Sequence, residues 1–182
     1  MKSKKELRAL ARSTFSKFSH GEILGKSGLL SQNLRQLLLE INPKSVGGYA
    51  PLSDEADWSV GLKESEYVFA FPRICQGGVM EFLESSFDQL VDEVHFGVHF
   101  KVPAKGLEVV TPEVLLIPGL GFDHKGDRLG RGKGFYDRYL ENFNGITIGI
   151  TFNETLYPEI PVEKHDRRVM MIVTDKEIVK IA

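Results

Sequence analysis

The chain has 182 residues, 42% of them hydrophobic and 26% charged, with a formal net charge of −2. That length and composition suit one globular domain spanning residues 1–182, and the charge excludes a general nucleic-acid binder, which needs surplus basic side chains to neutralise phosphates. A single cysteine, Cys75, excludes an internal disulfide and suits a reducing compartment.

The amino terminus, MKSKKELRALARSTFSKFS, is basic but too often interrupted by charge to hold the apolar segment of a signal peptide. No apolar run approaches a membrane span, so the expected setting is cytoplasmic, without a membrane partner. Over residues 4–18, Leu7, Leu10, Ala11, Thr14, Phe15 and Phe18 recur at three- and four-residue steps, which predicts an amphipathic helix. Leu30, Leu34, Leu37, Leu38 and Ile41 predict a second helix over 22–41. Short apolar runs follow at 46–51, 68–72, 114–119, 146–152 and 170–174. Their near-continuous apolarity predicts strands buried on both faces, and three of the runs include a proline that marks a strand exit. Helices are expected at 54–64, 85–91 and 134–142, and a further strand at 93–100, where His95 and His99 would share a face. The pattern favours a three-layer α/β/α fold with a mostly parallel sheet; a mixed α+β domain with one antiparallel edge is the alternative.

The third apolar run leads into PGLGFDHKGDRLGRGKGFYDRY, residues 118–139, where glycines crowd beside charges. In an open α/β sheet, ligands gather beyond the carboxyl ends of the strands. A glycine-rich segment there, followed by helical spacing, offers backbone amides to an anion, with Arg128, Arg131, Lys133 and Arg138 adding positive charge. The spacing is neither G-x-x-x-x-G-K-[ST] nor G-x-G-x-x-G. Read from residues alone, the segment is a phosphate cradle of unspecified ligand or a solvated flexible loop.

The same stretch resembles the signature of the 5-formyltetrahydrofolate cyclo-ligase family, approximately P-G-[LV]-[AG]-F-D-x-x-G-x-R-[LI]-G-x-G-x-G-Y-Y-D-R. KKELR, GYAPLSDEAD, VFAFPRI, MEF and IPVEKHDRRVMMIVT fall in the family's order along most of the chain. The resemblance implies a Rossmann-like α/β/α domain that cyclises 5-formyltetrahydrofolate to 5,10-methenyltetrahydrofolate with ATP as co-substrate and Mg²⁺ across the phosphates. The alternatives are a related ATP-dependent enzyme acting on another formyl or amide substrate, or a non-catalytic nucleotide or folate binder.

Carried over position by position, the resemblance implies an ATP-binding set of Lys4, Arg8, Gly130, Arg131, Gly132, Lys133, Gly134, Phe135, Tyr136 and Asp137. Arg131 and Lys133 would neutralise phosphates, and Asp137 would contact Mg²⁺ directly or through water. Lys4 and Arg8, four residues apart, share one helix face. Glu55 would meet the pterin of the folate, and Tyr49, Met80 and Phe82 would supply flat apolar walls. Position 135 carries Phe where the signature has Tyr, and FGVHFKVP (96–103) lacks a glutamate that family members often carry there. The expected folate is free or polyglutamylated, and the expected assembly is a monomer or weak homodimer.

Overall fold

The structure is a computed structural model that describes residues 2–62, 65–95 and 97–181. Two helices open the chain: α1 (Lys4–Phe15) and α2 (His20–Ile41). Each begins with a capping box, Ser3 with Glu6 and Ser19 with Glu22, which satisfies backbone donors that a helix start leaves unpaired. Asn42, in the left-handed region at φ 53°, ends α2.

The strands are β1 (Ser45–Gly47), β2 (Val68–Ile74), β3 (Met80–Glu84), β4 (Leu90–His95), β5 (Val98–Pro103), β6 (Val114–Pro118), β7 (Phe122–Asp123), β8 (Ile146–Ile150), β9 (Leu156–Tyr157), β10 (Met171–Val173) and β11 (Ile178–Lys180), with α3 (Phe135–Leu140) between β7 and β8. Seven of them form one sheet in the order β11-β10-β8-β6-β1-β2-β3. Its interior pairs are parallel, and β11 and β3 close the two edges antiparallel. Strand alternation divides the core between two faces. Val114, Leu116, Ile148 and Ile150 pack with Leu30, Leu34, Leu37 and Leu38 of α2, while Leu115 and Ile117 pack with Leu140 of α3. Helices therefore cover both faces, as the apolar runs predicted.

Several local expectations change. Residues 54–62 do not form a helix, and residues 63–64 of that predicted segment lie outside the described residues. Here side chains satisfy the backbone locally: Leu52 N–H donates to Glu55 Oε2 at 3.0 Å and Ser59 N–H to Asp57 Oδ1 at 2.8 Å, bonds that compete with helical ones. The predicted helix at 85–91 is a single 3₁₀ turn, Phe87–Gln89, running into β4. The predicted strand at 93–100 is two strands, β4 and β5, which pair antiparallel with Gly97 at the turn; Phe96 lies outside the described residues. His95 pairs with Val98, and His99 pairs with Val94, so the two histidines sit on opposite strands. Pro72 does not end β2, which continues to Ile74. It lies beyond the β1 pairing, where β3 alone remains as a partner. No helix among the described residues is long and apolar enough to cross a membrane.

Candidate active site

Beyond β6 the glycine-rich chain is anchored before it is presented. Asp123, fully buried, accepts backbone N–H groups from Lys125, Asp127 and Ile160 at 2.9, 3.1 and 2.9 Å. Asp127 in turn accepts a two-pronged bond from Arg168 at 2.8 and 3.1 Å. With its base fixed, the segment 130–134 stands as a wall between two concavities.

The first is an open, mainly apolar chamber. Tyr49, Met80, Pro72, Ile74, Phe135 and Tyr136 supply flat or apolar surface, and Phe100, Lys101 and Val102 bring in the β4–β5 hairpin. Arg73, buried on β2, ties that hairpin to the sheet by donating to Pro103 O and Glu93. The segment carrying Tyr49 and Glu55 is fixed beneath α2. Trp58 Nε1 donates to Tyr49 O at 2.9 Å, and Ser31 Oγ donates to Trp58 O at 2.8 Å. Gly48 is needed for this approach, because a Cβ there would lie 2.3 Å from the Trp58 ring. Phe82 does not reach the chamber; it is buried against Tyr139 with ring centroids 5.0 Å apart.

Glu55 is the chamber's buried carboxylate. It accepts from Arg131 Nε at 2.9 Å and from Leu52 N–H. Burial raises its pKa, and the Arg131 charge opposes that rise without cancelling it. The Tyr136 hydroxyl is buried without a hydrogen-bond partner, and burial holds its proton tightly. A donor in that condition favours an acceptor supplied by a ligand.

The second concavity is polar. Lys4, Arg8, Arg128, Lys133 and Arg138 border it, together with Asp137, Glu141, Glu163, His165 and Asp166. Leu7 and Ala11 of α1 are buried against Leu120, Leu129, Tyr157 and Ile160, which places Lys4 and Arg8 at its rim. Burying Leu7 contributes about 1.5–3 kcal/mol, whereas partly exposed ion pairs contribute about 1 kcal/mol or less. The helix is thus held by its apolar face, and its charges are available for ligand contacts. Lys4 Nζ lies 2.6 Å from Asp166 and 3.0 Å from Glu163. Burial lowers its pKa, and these two carboxylates more than restore it, leaving it raised. Arg8 Nε donates to Gly130 O at 2.8 Å, which joins α1 to the dividing wall.

Arg128, Gly130, Gly132, Lys133, Gly134 and Asp137 border both concavities. Gly132 and Gly134 have φ of 94° and 68°, a backbone region in which other residues are strained. Arg128 crosses at this wall. Its Nη2 donates to Asp137 Oδ1 at 2.9 Å, its guanidinium lies 5.6 Å from the Tyr136 ring centroid, and its Nε is buried without a partner.

Ten residues were assigned to ATP from the sequence, and the structure distributes them over both concavities. Lys4, Arg8, Gly130, Gly132, Lys133, Gly134 and Asp137 border the polar one. Arg131, Phe135 and Tyr136 line the apolar chamber, not the polar one. Arg131, expected at the phosphates, turns away because Asp54 and Glu55 bind its guanidinium. Tyr49, Glu55 and Met80 gather in the apolar chamber. The sequence places Arg128 among the cations of the glycine-rich segment but not in the ATP-binding set, although the arginine of the G-x-R-[LI]-G segment falls on it. The contribution of the hairpin and the pairing of Asp54 with Arg131 were also missed, since both depend on long-range contacts.

An open, mostly parallel sheet with a glycine-rich, cation-bordered turn beyond a central strand defines an α/β enzyme of the phosphate-handling kind. The pattern of the 5-formyltetrahydrofolate cyclo-ligase family matches residues 3–175, and the chain belongs to that family. It is 29% identical over 187 aligned residues to the mouse 5-formyltetrahydrofolate cyclo-ligase, covering 92% of this chain and 91% of that one. The same-named protein of Saccharomyces cerevisiae is 24% identical, with 95% of each chain covered. Among solved structures, Aquifex aeolicus 5,10-methenyltetrahydrofolate synthetase superposes with a TM-score of 0.84 at 28% identity, covering 98% of this chain and 92% of that one. The corresponding Mycoplasma pneumoniae protein shares the fold, with a TM-score of 0.76 at 21% identity over 96% and 99% of the two chains.

Proposed function

We propose that the protein converts 5-formyltetrahydrofolate and ATP into 5,10-methenyltetrahydrofolate, ADP and phosphate. The observation that carries this reading, beside family membership, is the meeting of an apolar chamber and a cation-rimmed polar one at a single glycine wall. One suits a flat heteroaromatic ring and the other a chain of phosphates, and the reacting atoms would meet where the two join.

The reaction needs that meeting. An amide-like formyl oxygen is a weak nucleophile, and its expulsion as oxide is not feasible. Attack of this oxygen on the γ-phosphorus releases ADP and leaves the carbon bearing a phosphate ester. Nitrogen 10 then adds to that carbon and gives up its proton, and the C–O bond breaks to expel phosphate. The formyl oxygen therefore leaves in the phosphate. Catalysis of phosphoryl transfer is mostly positioning and charge stabilisation. Arg128, held at the wall by Asp137, faces the transfer point and stabilises charge spreading over the phosphoryl oxygens. Lys4, Arg8, Lys133 and Arg138 hold the polyphosphate, and the glycines let the backbone approach it.

In the apolar chamber, Tyr49 and Met80 flank the pterin. Glu55 accepts its N–H donors, Tyr136 offers its hydroxyl to a substrate acceptor, and Arg131 holds Glu55 in place. A divalent cation is compatible with the donor set. Asp137 borders the polar chamber, and among the described residues no cluster of three or more His, Cys, Asp or Glu forms a self-contained metal site. Mg²⁺ bound with the nucleotide would be held by Asp137, phosphate oxygens and water, and would supply neutralisation of phosphate charge.

The 182 residues act as one domain in this reading, as a cytoplasmic monomer or weak homodimer that accepts the folate with or without a polyglutamate tail. Another formyl or amide substrate is the second reading. It draws on the hairpin, since Phe100, Lys101 and Val102 line the apolar chamber within the segment that departs from the family pattern. The test is near-ultraviolet absorbance of the methenyl product. Product is expected only with protein, ATP, Mg²⁺ and 5-formyltetrahydrofolate together; none above the protein-free control would overturn the proposal.

A further inference from the structure

Asp54 lines neither chamber, yet its carboxylate binds the guanidinium of Arg131 through Nη2 and lies 4.0 Å from Arg12 Nε on α1. Arg131 gives its Nε to Glu55 Oε1 at 2.9 Å, and the other Glu55 oxygen takes the Leu52 N–H at 3.0 Å. Adjacent carboxylates thus share one guanidinium. Without Asp54, the planar fork of Arg131 could close on both oxygens of Glu55, the geometry that arginine and carboxylate prefer.

The sharing leaves Glu55 held from two directions but not closed. An ionised carboxylate has about four acceptor sites, and the two bonds described use one on each oxygen. Each oxygen keeps an acceptor direction, the arrangement that a pair of neighbouring N–H donors on an aminopyrimidine edge requires. Arg131 is shared between the two carboxylates, and Arg12, more than half exposed and 4.0 Å from Asp54, adds a second, solvent-screened positive charge. Burial favours protonated Glu55, the Arg131 charge opposes this, and the Asp54 charge acts with burial.

We propose that Asp54 is a positioning residue for the folate: by holding one arm of Arg131 it keeps Glu55 oriented and open to the pterin's N–H donors. This rests on the reading that the apolar chamber takes the folate. The experiment is steady-state kinetics of Asp54→Asn, Asp54→Glu and Glu55→Gln, varying 5-formyltetrahydrofolate and ATP separately, with a thermal midpoint for each variant. Asp54→Asn is expected to raise KM for 5-formyltetrahydrofolate about tenfold while KM for ATP stays within about twofold, as for loss of a supporting partner behind a ligand-binding group. Asp54→Glu, which keeps the charge, is expected to recover most of that loss.

An unchanged folate KM in Asp54→Asn would overturn the proposal. So would a parallel rise in both KM values with a fallen thermal midpoint, or a loss in Asp54→Glu as large as in Asp54→Asn. Glu55→Gln separates this proposal from the reading beneath it. If Glu55→Gln weakens folate and Asp54→Asn does not, the positioning role alone fails. If Glu55→Gln leaves folate kinetics unchanged, the assignment of the apolar chamber fails, and the role of Asp54 with it.

Discussion

The two chambers share a wall but are built on different principles. In the polar chamber, Lys4, Arg8, Arg128 and Arg138 each bond to a carboxylate or a backbone carbonyl of the protein itself. These contacts are partial, since a guanidinium has five N–H donors and an ammonium three, so phosphate can be added without stripping every protein bond. In the apolar chamber a buried carboxylate is set among aromatic and aliphatic surface, where an unpaired charge is costly and each partner matters more. A lost cation should therefore weaken nucleotide binding by a modest factor, whereas a lost acceptor in the apolar chamber should be severe.

The largest effect expected is in Glu55→Gln, with kcat/KM for 5-formyltetrahydrofolate reduced about a hundredfold and KM for ATP nearly unchanged. Equal losses for both substrates would erase the distinction between the chambers. Gly132→Ala comes next. At φ 94° an alanine is strained, and its Cβ would lie 3.5 Å from the Arg8 guanidinium, an ordinary contact distance. The cost therefore comes from backbone conformation, and kcat/KM for ATP should fall about tenfold while the fold persists. Unchanged ATP kinetics would return the segment to a flexible loop. Lys4→Ala is expected to raise KM for ATP about fivefold and to leave KM for folate alone, because removing one of several phosphate contacts is a modest loss. The reverse order would undo the placement of α1 at the nucleotide.

The pH dependence sharpens the contrast further. The raised Glu55 pKa implies that kcat/KM for the folate falls on acidification at a pH above the ordinary glutamate value of about 4.3. Stability moves the other way. A carboxyl whose folded-state pKa is raised contributes stability that is present below its unfolded pKa and lost as pH rises through the folded one. Glu55→Gln should remove both trends, read from pH profiles of kcat/KM and of the thermal midpoint. An acid limb persisting unchanged in that variant would assign it to another group.

Sequence patterning was most informative where one element determines its own character. The leucines of α2 and the runs that became β6 and β8 located the layers, because 3.6-residue periodicity and unbroken apolarity are local signals. The glycine wall was legible as an anion-binding candidate for the same reason. Residues 54–62 were misread because Glu55 and Asp57 satisfy backbone donors that a helix would have used. Short edge strands such as β3 and β11 owe their pairing to neighbours distant in sequence, and a three-residue run such as Ile178–Lys180 carries little periodicity of its own. Arg131 shows the limit for site residues. Its type and spacing suggest phosphate, and only the approach of Asp54 and Glu55 across 76 or 77 positions of sequence turns it toward the apolar chamber.

The central claim is that the two chambers bring the formyl oxygen directly to the γ-phosphate, and isotope transfer tests this most directly. 5-Formyltetrahydrofolate labelled with oxygen-18 in the formyl group would be turned over with unlabelled ATP in ordinary water, and the released phosphate analysed by mass spectrometry. Direct phosphorylation requires the label to appear in the phosphate, one atom for each methenyl product formed. Unlabelled phosphate, with the heavy oxygen lost to water, would contradict it.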